Sequence, residues 1–268
     1  MSKPVLLTDV TDRVGTITLN RPERRNALNG ALIAALDNAV REMAADDGVK
    51  VVVLTGAAAE GAHGGFCAGG DVKDGGRGPG GELAVPRDAL GGDLSRHDLH
   101  AAMLLHLMPK PTIAMVGGPA IGAGCSLAAA CDLRYASDDA VFAANFAPIG
   151  LTGDYGGSFF WTRIIGTART RELYFLNQRV GAARALELGM VHAVVPAAAL
   201  RDHTLGVART LLRVPSSVLA RMKDNLNAAE EDADRRRYLF AHEAANQELA
   251  AADLTHRAER AERAERKG

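Results

Sequence analysis

The sequence predicts an α/β fold, and three observations carry that expectation. Short runs rich in Val and Ile alternate with stretches whose apolar residues recur at helical spacing. The order strand, helix, strand repeats at intervals that suit right-handed parallel crossovers. The apolar share of 47% is carried by small side chains, with 49 Ala and 29 Gly against 4% aromatics in 268 residues, which favours close approach of backbones over a bulky aromatic core.

Taken in order, Gly15 to Asn20 (GTITLN) reads as a strand closed by a turn at Arg21-Pro22. A helix follows, with Asn29 as N-cap, Leu32, Leu36, Val40 and Met43 on one face, and Gly48 as its stop. Val49 to Thr55 (VKVVVLT) is too short for a helix and reads as a buried strand. Asp74 to Asp93 is Gly-rich and without periodicity, as a mobile surface loop would be. Thr112 to Val116 (TIAMV) is the next strand, followed by a Gly-rich turn, a small-residue helix Gly124 to Ala130, and a strand Asp132 to Ala136. Beyond Phe159 the pattern is helical over Phe159 to Ile165, Thr170 to Asn177 and Ala182 to Leu188, with a short strand Val191 to Val195 ended by Pro196. Helical patterns continue to the end, interrupted at Pro215. The terminal RAERAERAERKG repeats every three residues, cannot keep one apolar face on a 3.6-residue helix, and reads as a solvated end.

With 31 Lys+Arg against 32 Asp+Glu the formal charge is −1, which argues against nucleic acid or a charged membrane surface as partner. Cys67, Cys125 and Cys131 form no CxxC pair, so neither a disulfide framework nor a metal site is expected, and a reducing compartment suits them. The segment MSKPVLLTDV lacks a signal peptide's apolar stretch, and no run approaches the roughly 18 apolar residues of a membrane span. The expectation is a cytoplasmic protein.

A literal GxGxxG at Gly76, Gly78 and Gly81 follows no strand and opens onto Leu83-Ala84-Val85-Pro86, so it is not a dinucleotide fingerprint. P-loop, HExxH and GxSxG motifs do not occur. Two small-residue segments stand in better context: Phe66 to Asp71 (FCAGGD), after the Val49 to Thr55 strand, and Gly117 to Leu127 (GGPAIGAGCSL), between a strand and a helix. Either could let a ligand reach backbone N–H groups, and two such groups aimed at one point make an oxyanion hole. Either could equally be a tight turn of an Ala-rich fold.

FCAGGDV (Phe66 to Val72), GGPAIGAGCSLAAACDLRYAS (Gly117 to Ser137), IGLTGDYGGSFFWTRIIG (Ile149 to Gly166), ALELGMVHAVVP (Ala185 to Pro196) and the opening NRPERRNALN (Asn20 to Asn29) together resemble the enoyl-CoA hydratase/isomerase (crotonase) superfamily. The resemblance runs in order over residues 10 to 200. It implies a spiral of repeated ββα units over residues 1–200 with a C-terminal helical trimerisation region over 201–268, assembled as a homotrimer or a dimer of trimers. It also implies an acyl-CoA thioester substrate, coenzyme A being part of that substrate and no separate cofactor being needed. The oxyanion donors fall by motif position on Ala68 and Ala123. Substrate and coenzyme A contacts are expected from Arg24, Arg25, Ala68, Asp71, Val72, Gly122 and Phe146.

The sequence departs from the superfamily at the acid and base. Hydratases of this kind carry two glutamates where this chain has Ser126 and Phe146, neither of which can act as a carboxylate base. One carboxylate remains: Asp154, in GLTGDYGG (Gly150 to Gly157), matches the aspartate of a GL-x-x-D-x-GG pattern in CoA-linked isomerases, nearest to phenylacetate-pathway enzymes acting on ring-epoxide and unsaturated acyl-CoAs. Those relatives share the turn Gly122-Ala123-Gly124. A single carboxylate suffices for a 1,3-proton shift from C2 to C4. The resemblance therefore implies an acyl-CoA isomerase; a hydratase with relocated acid and base, a haloaroyl-CoA dehalogenase-like hydrolase with Asp154 as nucleophile, and a non-catalytic acyl-CoA-binding protein are the alternatives. Asp154 could also simply N-cap the helix holding Phe159 and Trp161. His100 and His106 read as structural, His63 as a loop residue beside Gly64-Gly65, Asp71 as ordering its turn, Asp132 as a structural aspartate at a strand start, and Tyr155 as pocket lining or packing.

Overall fold

A computed structural model describes residues 3–58, 61, 64–71, 101–149 and 153–230. Strands β1 (Leu6–Thr11) and β2 (Val14–Leu19) form an antiparallel hairpin, and α1 (Gly30–Ala45) leads to β3 (Val51–Gly56). Next come α2 (Ala101–Leu107), β4 (Thr112–Val116), β5 (Ala120–Ile121), α3 (Ala123–Ala130), β6 (Leu133–Ser137) and β7 (Val141–Ala143). The chain continues through α4 (Gly157–Phe175), β8 (Val180–Gly181), α5 (Ala182–Glu187), β9 (Ala193–Val195), α6 (Leu200–Leu212) and α7 (Ser216–Glu230). Two compact units divide it at Leu212, so α6 belongs to the first and α7 to the second.

A six-stranded sheet runs β1-β2-β3-β4-β6-β9, parallel throughout apart from the β1–β2 hairpin. A smaller sheet, β5-β7-β8, lies beside it. Every residue of β3 is buried because the sheet is covered on both faces: Val52 and Leu54 pack with α1 and α3, while Val51 and Val53 pack with α6 through Leu200 and Ala208. That is why the strand reads as a continuous Val run without alternation. The half-buried Asp132 and the buried Arg134 tie neighbouring segments together. The Asp132 carboxylate accepts from the Thr112 N–H (2.7 Å) and hydroxyl (2.9 Å), joining the starts of β4 and β6. The Arg134 guanidinium donates to the carbonyls of Met190 (2.7 Å) and Cys131 (2.6 Å), satisfying groups that the end of α3 leaves open.

Asn29 caps α1 by accepting from the Leu32 N–H at 3.0 Å, and Leu32, Leu36, Val40 and Met43 are buried, as the spacing predicts. The two helices expected after Phe159 are the two arms of α4, parted at Gly166, whose φ of 78° and ψ of 160° leave the helical region. The expected loop Asp74 to Asp93, the GxGxxG at Gly76 and the terminal repeat lie outside the described residues.

Candidate active site

The first small-residue segment is held between two neighbours by backbone hydrogen bonds. On one side Cys67 N–H donates to Pro119 O (3.1 Å) and Ile121 N–H to Cys67 O (2.9 Å). On the other, Ala68 N–H donates to Arg25 O (3.0 Å), Leu28 N–H to Gly69 O (2.8 Å) and Asp71 N–H to Leu28 O (2.9 Å). The Gly69 N–H is directed at the Cys67 thiol. Of the donors in this loop, the Gly70 N–H makes no hydrogen bond among the described residues. This corrects the expectation for Ala68: its N–H is committed to Arg25 O, and the available donor lies two residues on.

The second segment meets the first at close range. Gly122, with φ of 56°, turns β5 into α3 and donates its N–H to Ala143 O at 2.9 Å. Ala123 opens α3, where a helical N–H has no intrahelical acceptor. A Cβ built on Gly69 would stand 3.6 Å from the Ala123 nitrogen, and one on Gly124 would stand 2.2 Å from Cys67 O, so the start of α3 rests directly on the first loop. Gly70 and Ala123 thus present two backbone donors from turns in contact.

Asp154 precedes α4 in a turn whose Gly153, Tyr155 and Gly156 all have positive φ. The N-cap of α4 is Gly156, two residues later, so Asp154 does not cap the helix by its side chain. Its Oδ1 is withdrawn from solvent. Its negative charge reaches the first loop: burial chiefly, opposed by the Gly69 N–H and reinforced by Asp154, pushes the Cys67 thiol up to about 12. The hydroxyls of Tyr155 and Tyr174 are likewise pushed up, burial first, with Asp154 adding to both. Both stay neutral at working pH.

The two positions that carry glutamate in hydratases form a neutral wall here. Ser126 is 1% exposed, and its hydroxyl donates to Gly122 O at 3.4 Å. The buried Phe146 ring stacks on Tyr174, centroids 6.0 Å apart, and lies within 3.7 Å of where a Cβ on Gly122 would be. Gly157 covers this wall so closely that its Cβ would meet Ser126 Oγ at 2.2 Å and Tyr174 Oη at 2.5 Å.

The remaining expected residues divide. Asp71 is 5% exposed and its Oδ2 is paired with the Arg21 guanidinium at 3.0 Å, with the Arg24 Nε at 3.7 Å. It therefore ties the loop to the segment after β2. Arg24 and Arg25 are exposed beside that pair. Val72, His63 and His100 lie outside the described residues. His106 packs against Phe159 and Phe160, centroids 6.1 and 5.2 Å away. No group of three His, Cys, Asp or Glu able to hold a metal gathers among the described residues. Sequence reasoning missed Gly70, Arg21 and Tyr174. Arg21 stood within the NRPERRNALN motif, whereas Tyr174 left no signal beyond one aromatic in a helical stretch.

The sequence matches the enoyl-CoA hydratase/isomerase family over residues 9–264. A relative, 1,2-epoxyphenylacetyl-CoA isomerase of Escherichia coli, is 36% identical over 225 residues, which cover 84% of this chain and 82% of its own. Among solved structures, an enoyl-CoA hydratase of Mycobacterium smegmatis superposes with a TM-score of 0.76 at 30% identity, covering 92% of this chain and 91% of that one. A monofunctional enoyl-CoA isomerase of M. smegmatis superposes with a TM-score of 0.69 at 30% identity, covering 86% and 96%. The crotonase spiral is thus the fold of this chain, and the chain belongs to the enoyl-CoA hydratase/isomerase family.

Proposed function

We propose that the protein is an acyl-CoA isomerase that moves a double bond by enolate chemistry, with Asp154 as its one acid and base. The Asp154 carboxylate takes a proton from C2 of a 3-enoyl-CoA, the thioester oxygen gathers the negative charge of the dienolate, and the same carboxylate returns the proton at C4. The C3–C4 double bond becomes a C2–C3 double bond, and nothing is added or lost. The Gly70 and Ala123 N–H groups hold the thioester oxygen as its charge develops, a role typically worth about 2.7–4 kcal/mol per donor. The observation that carries this reading is that Asp154, its Oδ1 withdrawn from solvent, follows Gly153, which faces the same Phe146 ring that neighbours Gly122 beside the Ala123 N–H, while Ser126 and Phe146 offer no carboxylate.

Two relatives support isomerisation over hydration: one is named for a ring-epoxide acyl-CoA and the other is a monofunctional enoyl-CoA isomerase. Ring-epoxide and ring-unsaturated acyl-CoAs are therefore the second substrate class to offer. A homotrimer or dimer of trimers and cytoplasmic residence belong to the same proposal; no helix of the described residues is long and apolar enough to cross a membrane.

The test is to supply 3-enoyl-CoA and follow the absorbance of the conjugated 2-enoyl product. Asp154→Asn should lower turnover by about 10²–10⁴-fold, as loss of a general acid–base group does, with acyl-CoA binding retained in calorimetry. Unchanged turnover in that variant overturns the role of Asp154. A hydrated product in place of the isomer would make the protein a hydratase, and binding without turnover across both substrate classes would make it an acyl-CoA-binding protein.

A further inference from the structure

The Gly70 N–H takes its direction from the residues on either side of it. Leu28 donates to Gly69 O at 2.8 Å and accepts from the Asp71 N–H at 2.9 Å, which pairs Leu28 with Gly70 as a parallel bridge. In such a bridge the residue between the two bonds turns its own N–H and C=O away from its partner, so the Gly70 donor faces the opposite side. Packing does not hold it there: no described atom lies within 4 Å of where a Cβ on Gly70 would be. The restraint comes from the next side chain. Asp71 is buried, and its Oδ2 meets the Arg21 guanidinium at 3.0 Å. One guanidinium nitrogen holds Asp71, and the other donates to the carbonyl of Ala27, the residue before Leu28. Arg21 is itself fixed. Its N–H donates to Asn26 Oδ1 at 3.0 Å, its carbonyl accepts from the Asn26 N–H at 2.8 Å, and Asn26 Nδ2 donates to Ala57 O at 2.9 Å, just past β3. The fork of Arg21 thus grips both segments of the Leu28–Gly70 bridge and is anchored to the large sheet.

We infer that Arg21 and Asp71 are positioning residues: their buried ion pair locks the Leu28–Gly70 bridge and so keeps the Gly70 N–H aimed at the thioester oxygen. The inference rests on the reading of Gly70 as an oxyanion donor. The chemistry of the pair suits the task. A planar guanidinium making two bonds in fixed directions restrains rotation as a single contact cannot. Away from water, that restraint is screened little by salt.

Asp71→Asn removes one charge, and Arg21→Lys keeps the other but loses the fork. Each should lower kcat on 3-enoyl-CoA by about tenfold to 10²-fold, as displacement of a reacting group by up to ~1 Å does, with KM kept within about threefold. A second readout needs no turnover. Acetoacetyl-CoA gives up its acidic C2 proton and then carries negative charge on its oxygens, whereas butyryl-CoA offers only a neutral carbonyl. Both variants should weaken acetoacetyl-CoA about tenfold relative to butyryl-CoA in calorimetry, because a donor aimed at developing charge favours the enolate. A merely structural pair would lower Tm and move neither ratio. The double variant should be no slower than the slower single one, since both break one connection. Wild-type kcat in both variants, losses that multiply in the double variant, or equal weakening of the two ligands would overturn the inference. Should one variant not fold, the other carries the same test; if neither folds, the pair serves folding and the inference falls. Asp154→Asn, run alongside, separates the two ideas. Full turnover in that variant sinks the isomerase reading and leaves the acetoacetyl-CoA comparison to judge the pair. If it is inactive while Asp71→Asn and Arg21→Lys run at wild-type kcat, only the positioning role fails.

Discussion

Gly124→Ala is the substitution whose outcome depends most directly on how the two candidate donor turns touch. Helix preference alone favours it, since Ala replaces Gly inside a helix with a gain of about 0.5–1 kcal/mol. The contacts oppose it. The new Cβ would meet Cys67 O at 2.2 Å, Cys67 Cβ at 2.7 Å and Cys67 C at 2.9 Å. Backbone cannot swing aside as a flexible side chain can, and a carbon next to a carbonyl oxygen needs on the order of 1 Å more than this close-packed interior leaves. The Cys67 carbonyl is moreover held by the Ile121 N–H at 2.9 Å, so parting the segments strains that bond as well. Overpacking of this kind costs roughly 1–3 kcal/mol, which outweighs the helix gain and lowers Tm by about 2–4 °C per kcal/mol for a domain of this size. The same displacement moves Ala123 relative to Gly70, and a misplacement of ~1 Å can cost ~10²-fold in rate. Thermal melting and 3-enoyl-CoA turnover measure both effects. Gly206→Ala, inside α6, is the control: its Cβ would meet no described atom within 4 Å and its φ is not left-handed, so Tm should hold or rise slightly and kcat stay unchanged. A Gly124→Ala protein that melts at or above the wild type with undiminished kcat would refute the close contact of the two turns.

Two other expectations come from buried titratable groups. The Cys67 and Cys125 thiols, each pushed up to about 12 chiefly by burial, and the buried Cys131 should resist iodoacetamide at pH 8 in the native protein and react once it is denatured; rapid labelling of any of them in the folded state would contradict this. His192 is half-buried beside Arg134, its Nδ1 accepting the Arg134 N–H at 3.1 Å, and burial first, then the Arg134 charge, lowers its pKa below 6.5. As pH falls through 6.5 the unfolded chain takes up a proton that the folded chain refuses, so stability falls on acidification. His192→Asn, which keeps an acceptor at the Nδ1 position, should flatten the fall in Tm between about pH 7 and 5.5; an unchanged slope would assign it to other groups.

Much of the layered core was legible because its elements bury regular faces. The cap at Asn29 and the stripe of α1, the Val run of β3, and strands β4 and β6 all lie where their patterns place them. β1 was invisible: five of its six residues are exposed, so Leu6–Thr11 shows no buried face and is recruited by its hydrogen bonds to β2, with Leu6 packing against the core. β5 and β8 are two residues long, too short for any periodicity, and exist because the turns around them bring backbones together.

At the candidate site, the sequence by itself determined the cast: two small-residue turns, one aspartate in a glycine-flanked turn, and a serine and a phenylalanine where a hydratase carries glutamates. These are side-chain identities, and motif spacing carries them. Only the tertiary structure decided which backbone donor is open. The Ala68 N–H is taken by Arg25 O, contributed by a segment more than forty residues earlier, and no described residue takes the Gly70 N–H. It likewise decided that Asp71 faces Arg21, and that Tyr174 and Ser126 close on Gly157 from different helices. The physical reason is plainest for the N–H groups. Every residue but proline carries the same N–H, so its availability depends on which carbonyl the fold sets opposite it, and that partner lies too far along the chain for local pattern to reveal.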